Sequence, residues 1–251
     1  MESSFYTVSL MVSLGLLLGL VVCMEIGYRV GKRRIARSGE GLPTGVGASE
    51  AAIFGLMGLL IAFTFSGATS RFEARRHLLT EEANAIGTAY LRLDLLPASA
   101  QPEVRRLMRV YVDARLEGGR HGEDVRLQNA IWAAAQASCR QPEAAAAACQ
   151  LALPALNEMI DITTTRAVAT RNHPPPTIYV MLLLISLASA LLIGYSMAAN
   201  ERRSWIHIVL MSVSLAVAIY VILDLEFPRM GLLRVDNADR VLVEVRRSME
   251  P

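Results

Sequence analysis

Residues 51–70 read AAIFGLMGLLIAFTFSGATS and contain no Asp, Glu, Lys or Arg. Three further uncharged apolar stretches of this kind are Phe5–Met24, Thr177–Asn200 and Ser204–Leu223. An α-helix rises about 1.5 Å per residue, so about 20 residues cross a hydrocarbon core of about 30 Å. With 53% hydrophobic residues and a mean hydropathy of +0.37, the chain is predicted to be an all-α integral membrane protein with four transmembrane helices in a lipid bilayer.

The four spans divide the chain into predicted parts. The parts are transmembrane helices 1 and 2 (residues 1–70), a helical extramembrane segment (71–176), a hairpin of transmembrane helices 3 and 4 (177–225) and a polar tail (226–251). The Gly-rich and basic linker Glu25–Ser49 is predicted to be a loop, with Ser49 capping the second helix.

The second helix is predicted to continue beyond the membrane. Apolar residues recur at three- and four-residue spacing after Ser70, and no proline occurs until Pro97. We therefore expect one helix of more than 40 residues that ends near Leu96. Further amphipathic helices are predicted at Pro102–Leu116, Asp124–Ser138 and Glu143–Arg171.

Composition and motifs argue against several functional classes. The net charge of +2 is too small to indicate a nucleic-acid partner, and no nucleic-acid motif is present. The sequence has no convincing nucleophile elbow, phosphate loop or catalytic carboxylate pair. The Cys and His spacings do not resemble a metal site. We expect no enzyme activity, no cofactor and no metal.

Two cysteines flank a helix-breaking stretch in the extramembrane segment. If Cys139 and Cys149 lie on the two arms of a helical hairpin, their Cα atoms approach disulfide range. A disulfide there implies an oxidising compartment. The alternative is that both are small buried residues in an Ala-rich segment.

Polar and small residues near the spans allow alternatives. Gly15 and Gly19 form a G-x-x-x-G pattern, which is typical of close helix packing. The polar run Asp161–Arg166 either lines a cavity or forms a hydrogen-bonded patch between subunits. Asp224 and Glu226 either pair with Arg229 or an Arg of the second helix, or simply mark the helix end.

Basic residues in the short linkers bear on orientation. The linkers after the first and third spans carry seven: Arg29, Lys32, Arg33, Arg34, Arg37, Arg202 and Arg203. An equal number flanks the other side, but within longer segments that also contain Glu and Asp, where the rule is weaker. The charge pattern weakly favours both termini and the helical segment outside.

The second span resembles a known channel family. Residues 53–76 read IFGLMGLLIAFTFSGATSRFEARR, which is similar to the second helix of the bestrophin family in its bacterial branch. In the family's Arg-Trp-Trp-Glu-Ala-Arg-like motif, this chain has Arg71, Phe72, Glu73, Ala74 and Arg75, so one Trp is replaced and the other is absent. A weaker similarity is Glu226-Phe227-Pro228 after the fourth span.

The resemblance implies a homopentamer in the bacterial inner (plasma) membrane, with the second helices around a central pore for small ions. By this resemblance the pore-lining residues are Gly55, Leu59, Phe63, Ser66 and Ser70, and the charges at the pore mouth are Arg71, Glu73 and Arg75. Gly55 replaces the bulky residue expected there. The acidic calcium cluster of the animal members is missing, so calcium activation is not expected. The family's helical domain is cytosolic, which conflicts with the charge pattern.

Two functions follow as hypotheses. The first is an oligomeric ion channel whose apolar neck gates by expelling water. The second is a non-conducting membrane scaffold or sensor whose helical segment binds a partner. The mouth residues offer both signs of charge, so the sequence does not predict ion selectivity.

Overall fold

The computed structural model describes residues 2–39, 41, 43, 46–118, 121–200, 204–227 and 236–250. The helices in chain order are α1 (Glu2–Ser38), α2 (Val46–Arg92), α3 (Gln101–Leu116), α4 (His121–Cys139), α5 (Ala146–Arg171), α6 (Pro176–Met197), α7 (Trp205–Glu226) and α8 (Asp236–Ser248). A 3-10 turn, Leu93–Leu95, follows α2, and no strand occurs among these residues. The predicted all-α fold class is confirmed.

The chain forms two compact units. The unit that holds most of the predicted spans, called the transmembrane unit below, comprises Met1–Phe72 and His173–Arg234. The other, called the extramembrane unit after the segment predicted there, comprises Glu73–Asn172 and Val235–Pro251. Within the described residues, four helical segments are long and apolar enough to cross a membrane. They begin at Leu10, Gly47, Ala146 and Trp205, and each overlaps one of the four predicted spans.

The transmembrane unit is built on close packing of α1 against α6, with α7 beside them. A Cβ on Gly27 would collide with the backbone of Leu191, and one on Gly194 would collide with the carbonyl group of Met24. Gly31 meets Ala198 and Tyr195 in the same way. The absence of side chains at these glycines therefore allows the two backbones to touch.

Of the predicted packing motif at Gly15 and Gly19, Gly19 alone packs closely against another described residue of the chain. Gly15 has no atom within 4 Å of a potential Cβ, and Gly19 contacts only the side chain of Leu187 at 3.3 Å. The close contact uses the next G-x-x-x-G pattern, Gly27 and Gly31. That pattern lies beyond the uncharged stretch Phe5–Met24 on which the prediction of the span rests.

The predicted loop Glu25–Ser49 is also largely wrong. Helix α1 continues to Ser38, where Gly39 with φ +66° ends it. Its basic residues favour helix, and Glu25 pairs with Arg29 one turn later at 2.7 Å. Helix α2 already begins at Val46, so Ser49 lies inside it. The linker Glu201–Arg203 lies outside the described residues.

The long second helix is confirmed. It runs for 47 residues without a break, although it ends at Arg92 rather than Leu96. Its part in the extramembrane unit packs into one core with α3, α4, α5 and α8. The largest fully buried side chains of this core are Ile86, Leu93, Met108, Tyr111, Ile131, Leu156, Met159 and Met249.

The final helix, α8, lies in the stretch predicted only as a polar tail. Leu242 in α8 and Met249, directly after the helix, are buried. Tyr90 donates a hydrogen bond to the Met249 carbonyl oxygen at 3.0 Å. Arg246 binds both carboxylate oxygens of Asp113 at 2.6 and 3.1 Å. Only these long-range contacts explain why a polar 13-residue segment is helical here.

Cys139 and Cys149 form a disulfide between the end of α4 and the start of α5, with their Cα atoms 5.9 Å apart. The turn between the two helices brings the two cysteines together. The remaining cysteine among the described residues, Cys23, is reduced and half-buried in α1.

Candidate functional site

Within the transmembrane unit, α2 has one packed face and one exposed face. Met57 is 4% exposed and Ala68 is fully buried, each in an apolar cluster with neighbouring helices. On the opposite face, Leu59 is 52% exposed and Phe63 is 68% exposed. With 3.6 residues per turn, these sets lie on opposite sides of the helix.

The five residues expected to line a pore all lie on the exposed face. Gly55, Leu59, Phe63, Ser66 and Ser70 are each exposed in the protomer. A Cβ at Gly55 would meet no atom within 4 Å, so this end of the face is the least filled. The two bulky side chains, Leu59 and Phe63, lie one helical turn apart.

This face carries polar and small residues beside its bulky ones. Among the described side chains of α1, the large exposed hydrophobic ones are Leu10, Met11, Val12, Leu14, Leu18, Val22, Ile26 and Val30. Those of α6 are Val180, Met181, Leu183, Leu184 and Leu191. The α2 face instead mixes glycine and serine with a few bulky apolar residues. Hydroxyl groups are typical of surfaces that face protein or water rather than lipid tails.

Helix α2 is also the span least covered by its own chain. In its most apolar window 11% of the residues are buried, against 28% in each of the other three spans. A membrane helix whose exposed face carries both polar and apolar residues is poorly suited to lipid. Such a face needs contact with another copy of the chain or with water.

Arg71, the first charge after this face, points away from it. Its guanidinium binds Glu226 at the end of α7, with Nη2 2.9 Å and Nε 3.0 Å from Oε2. Glu226 is fully buried, whereas the Arg71 side chain is 27% exposed. Of the alternatives for Glu226, pairing with an Arg of the second helix is therefore the one observed. Arg229 lies outside the described residues.

His173 completes this cluster in the transmembrane unit. Its Nδ1 lies 3.0 Å from Oε1 of Glu226. Its ring stacks on Phe227, with the centroids 4.7 Å apart. The Glu226 carboxylate therefore has an Arg on one side and a His on the other. No local sequence pattern marks His173, since only the tertiary fold brings it beside Glu226.

The other two charges expected at the pore mouth, Arg75 and Glu73, differ in their exposure. Arg75 is buried, and its guanidinium donates to the carbonyl oxygens of Ala169 and Asn172 at 3.1 and 3.0 Å. Glu73 is exposed and pairs with Arg76 at 3.2 Å. Of the three expected mouth charges, the structure thus places Glu73 alone at an exposed position.

A second polar cluster lies inside the extramembrane unit. Glu82 is fully buried and pairs with Arg115, 2.8 Å away, and with Arg166. Arg115 also binds Asp124 at 2.9 Å. Two carboxylates and two guanidinium groups therefore compensate each other in a buried core, which is the condition for keeping such charges there.

The polar run Asp161–Arg166 contributes to this interior. Thr163 accepts a hydrogen bond from Gln128 at 3.1 Å, and Gln128 also lies 3.4 Å from the Tyr111 hydroxyl. Burial raises the pKa of the Tyr111 phenol, although the Gln128 donor opposes the shift. Two of the six residues of the run, Thr163 and Arg166, thus contribute to the fold of their own chain.

Nothing in the described part of the chain is placed to bind a metal ion: no group of three or more His, Cys, Asp or Glu converges there. The notable geometry is therefore the open α2 face and the charge cluster at its end.

A family model described as a Bestrophin-like domain matches residues 14–239. No curated protein matches the sequence. Among solved structures, a bacterial bestrophin homologue from Klebsiella pneumoniae, solved by Zn-SAD phasing, is similar with a TM-score of 0.68 and 14% identity, over 95% of this chain and 99% of that chain.

Two point variants of the Klebsiella pneumoniae homologue are similar too. One has a TM-score of 0.72 at 14% identity, over 94% of this chain and 98% of that chain. The other has a TM-score of 0.70 at 15% identity, with the same coverage of 94% and 98%. At such low identity these structures show a shared fold over nearly the whole chain.

Proposed function

The chain belongs to the bestrophin-like family, and from that premise we propose that it is an oligomeric ion channel in which α2 lines a central pore. Bestrophins are ion channels. The permeating species are small ions, and the protein sits in the bacterial inner membrane as a ring of identical subunits, with five favoured.

The observation that carries the proposal is the exposed face of α2. Its two serines are less suited to lipid than aliphatic side chains are, and the rest of the chain leaves the face exposed. If several copies assemble so that this face of each one points toward a common central axis, the face is removed from lipid. The same face would then surround a water-filled path, with Ser66 and Ser70 offering hydroxyl groups to ions.

Leu59 and Phe63 form the narrow part of this pore. They are the bulky side chains of the face and recur one turn apart, so each makes an apolar ring in a symmetric assembly. A narrow apolar ring expels water and thereby limits ion flow. Gly55 lacks a side chain, so the pore widens on that side of the neck.

Two measurements on the intact protein test the proposal. Native mass spectrometry in mild detergent gives the number of subunits, and planar-bilayer recording gives single-channel current. We expect a closed ring, with five copies favoured, and discrete current steps. A stable monomer or dimer would contradict the pore, and a well-assembled ring without current would instead favour a scaffold.

A further inference from the structure

We infer that Glu226 sets the charge selectivity of the proposed pore by holding the positive charge of Arg71 away from the ion path. The inference rests on the proposed function and names a residue outside the pore face as its determinant. Its structural basis is the ion pair between the end of α7 and α2, together with the room that Gly67 leaves for it.

Arg71 directly follows Ser70, the last serine of the exposed face. An arginine side chain is long and flexible, so without a partner this guanidinium would turn toward water. In the structure it turns back along α2. Its Nη1 lies 3.2 Å from the position that a Cβ on Gly67 would occupy. The missing side chain at Gly67 therefore makes room for the guanidinium.

Glu226 holds the guanidinium in that place. Its carboxylate accepts from Arg71 through both oxygens, with Nε 3.2 Å from Oε1 and 3.0 Å from Oε2. A fully buried carboxylate keeps its charge only when it is paired, so the pair is strongly favoured over separated charges. His173, at 3.0 Å from Oε1, fixes the carboxylate from the other side.

The consequence is electrostatic. When Arg71 is paired with Glu226, the two charges nearly cancel. Arg71 then adds little positive electrostatic potential to the ion path beside Ser70. Without the carboxylate, each subunit adds one uncompensated positive charge beside Ser70. A ring of such charges attracts anions and repels cations. Glu226 is thus a positioning residue, since it acts on permeating ions through Arg71.

The test is the ratio of K⁺ to Cl⁻ permeability, taken from the reversal potential of the reconstituted full-length protein in a KCl gradient. Glu226→Gln keeps the shape of the side chain and removes its charge. We expect the ratio to fall about tenfold, because several uncompensated charges act together. Arg71→Gln should shift the ratio in the opposite direction or leave it unchanged, and the double variant should restore the parental value.

A second variant tests the same inference without removing any charge from the chain. Gly67→Val crowds the guanidinium, because a Cβ at this position already lies 3.2 Å from Nη1. The guanidinium must then shift away from its place beside Glu226, so this variant should also lower the ratio. If Glu226→Gln does not assemble, the permeability ratio of Gly67→Val still tests the inference. Purely structural damage would change the amount of assembled protein without moving the reversal potential.

The outcomes separate the two proposals. A parental ring that conducts, with an unchanged ratio in Glu226→Gln and Gly67→Val, overturns this inference and leaves the channel in place. A parental ring that passes no current contradicts the channel itself, and the inference with it.

Discussion

Gly194 in α6 lies against Met24 in α1 so closely that any side chain at position 194 would occupy the space of the Met24 carbonyl group. Gly27 and Gly31 make the reciprocal contact from α1. Contact between backbones is how membrane helices gain packing where lipid removes the hydrophobic driving force. These glycines therefore determine how α1 and α6 meet.

Gly194→Ala tests this packing. The added methyl group must push α1 away, and we expect a loss of about 1–3 kcal/mol in the free energy of unfolding. Thermal unfolding in detergent measures it as a lower midpoint. Gly15→Ala is the matched control, since no atom lies within 4 Å of its Cβ position. Equal midpoints for the two variants would contradict the role of Gly194.

Phe63→Ala tests the neck of the pore. Removing the ring widens the proposed constriction and lowers the cost of hydrating it, so single-channel current should increase. Leu184→Ala is the control, since Leu184 is 61% exposed among the aliphatic residues of α6. We expect its current to equal that of the parent. A normally assembled Phe63→Ala channel with unchanged current would remove Phe63 from the neck.

The disulfide predicts the side of the membrane on which the extramembrane unit lies. Because Cys139 and Cys149 are bonded, we expect this unit to face the oxidising compartment. In a Cys23→Ser background, a membrane-impermeant maleimide should label both cysteines in intact cells after mild reduction. Labelling that appears only after lysis would place the unit in the cytosol, as in the family's known topology.

Glu82→Ala tests the buried charge cluster. The change leaves Arg115 and Arg166 without the carboxylate between them, and we expect a loss of about 3–5 kcal/mol. Glu81→Ala is the matched control, because Glu81 is exposed and pairs with His77 at 3.2 Å. Such an exposed pair contributes about 0–1 kcal/mol. Similar thermal midpoints for the two variants would show that the cluster is not needed for stability.

Much of the fold can be predicted because its signals are local. The four spans follow from uncharged runs of membrane length, and the long α2 follows from apolar spacing that no proline interrupts. The residues expected to line a pore follow from the family-like motif and from their spacing before Arg71, and they lie on an exposed face of α2. Each of these arguments uses residues that are neighbours in the chain.

The errors arose where distant residues decide the structure. Helix α8 is polar and short, and it is held by partners such as Asp113, 133 residues away from Arg246. The directions of Arg71 and Arg75 depend on a carboxylate in α7 and on carbonyl groups at the end of α5. Charge alone does not distinguish an arginine that faces a pore from one that is paired.

The sequence by itself determined that this protein crosses a membrane with four helices and that its second helix continues into a helical unit, because hydrocarbon thickness and helical periodicity act on contiguous residues. Only the tertiary structure decided which glycines bring α1 and α6 together and which charges remain exposed. Glu226 and Arg71 are 155 residues apart, and they pair because packing α7 against α2 buries a carboxylate that must have a cation beside it.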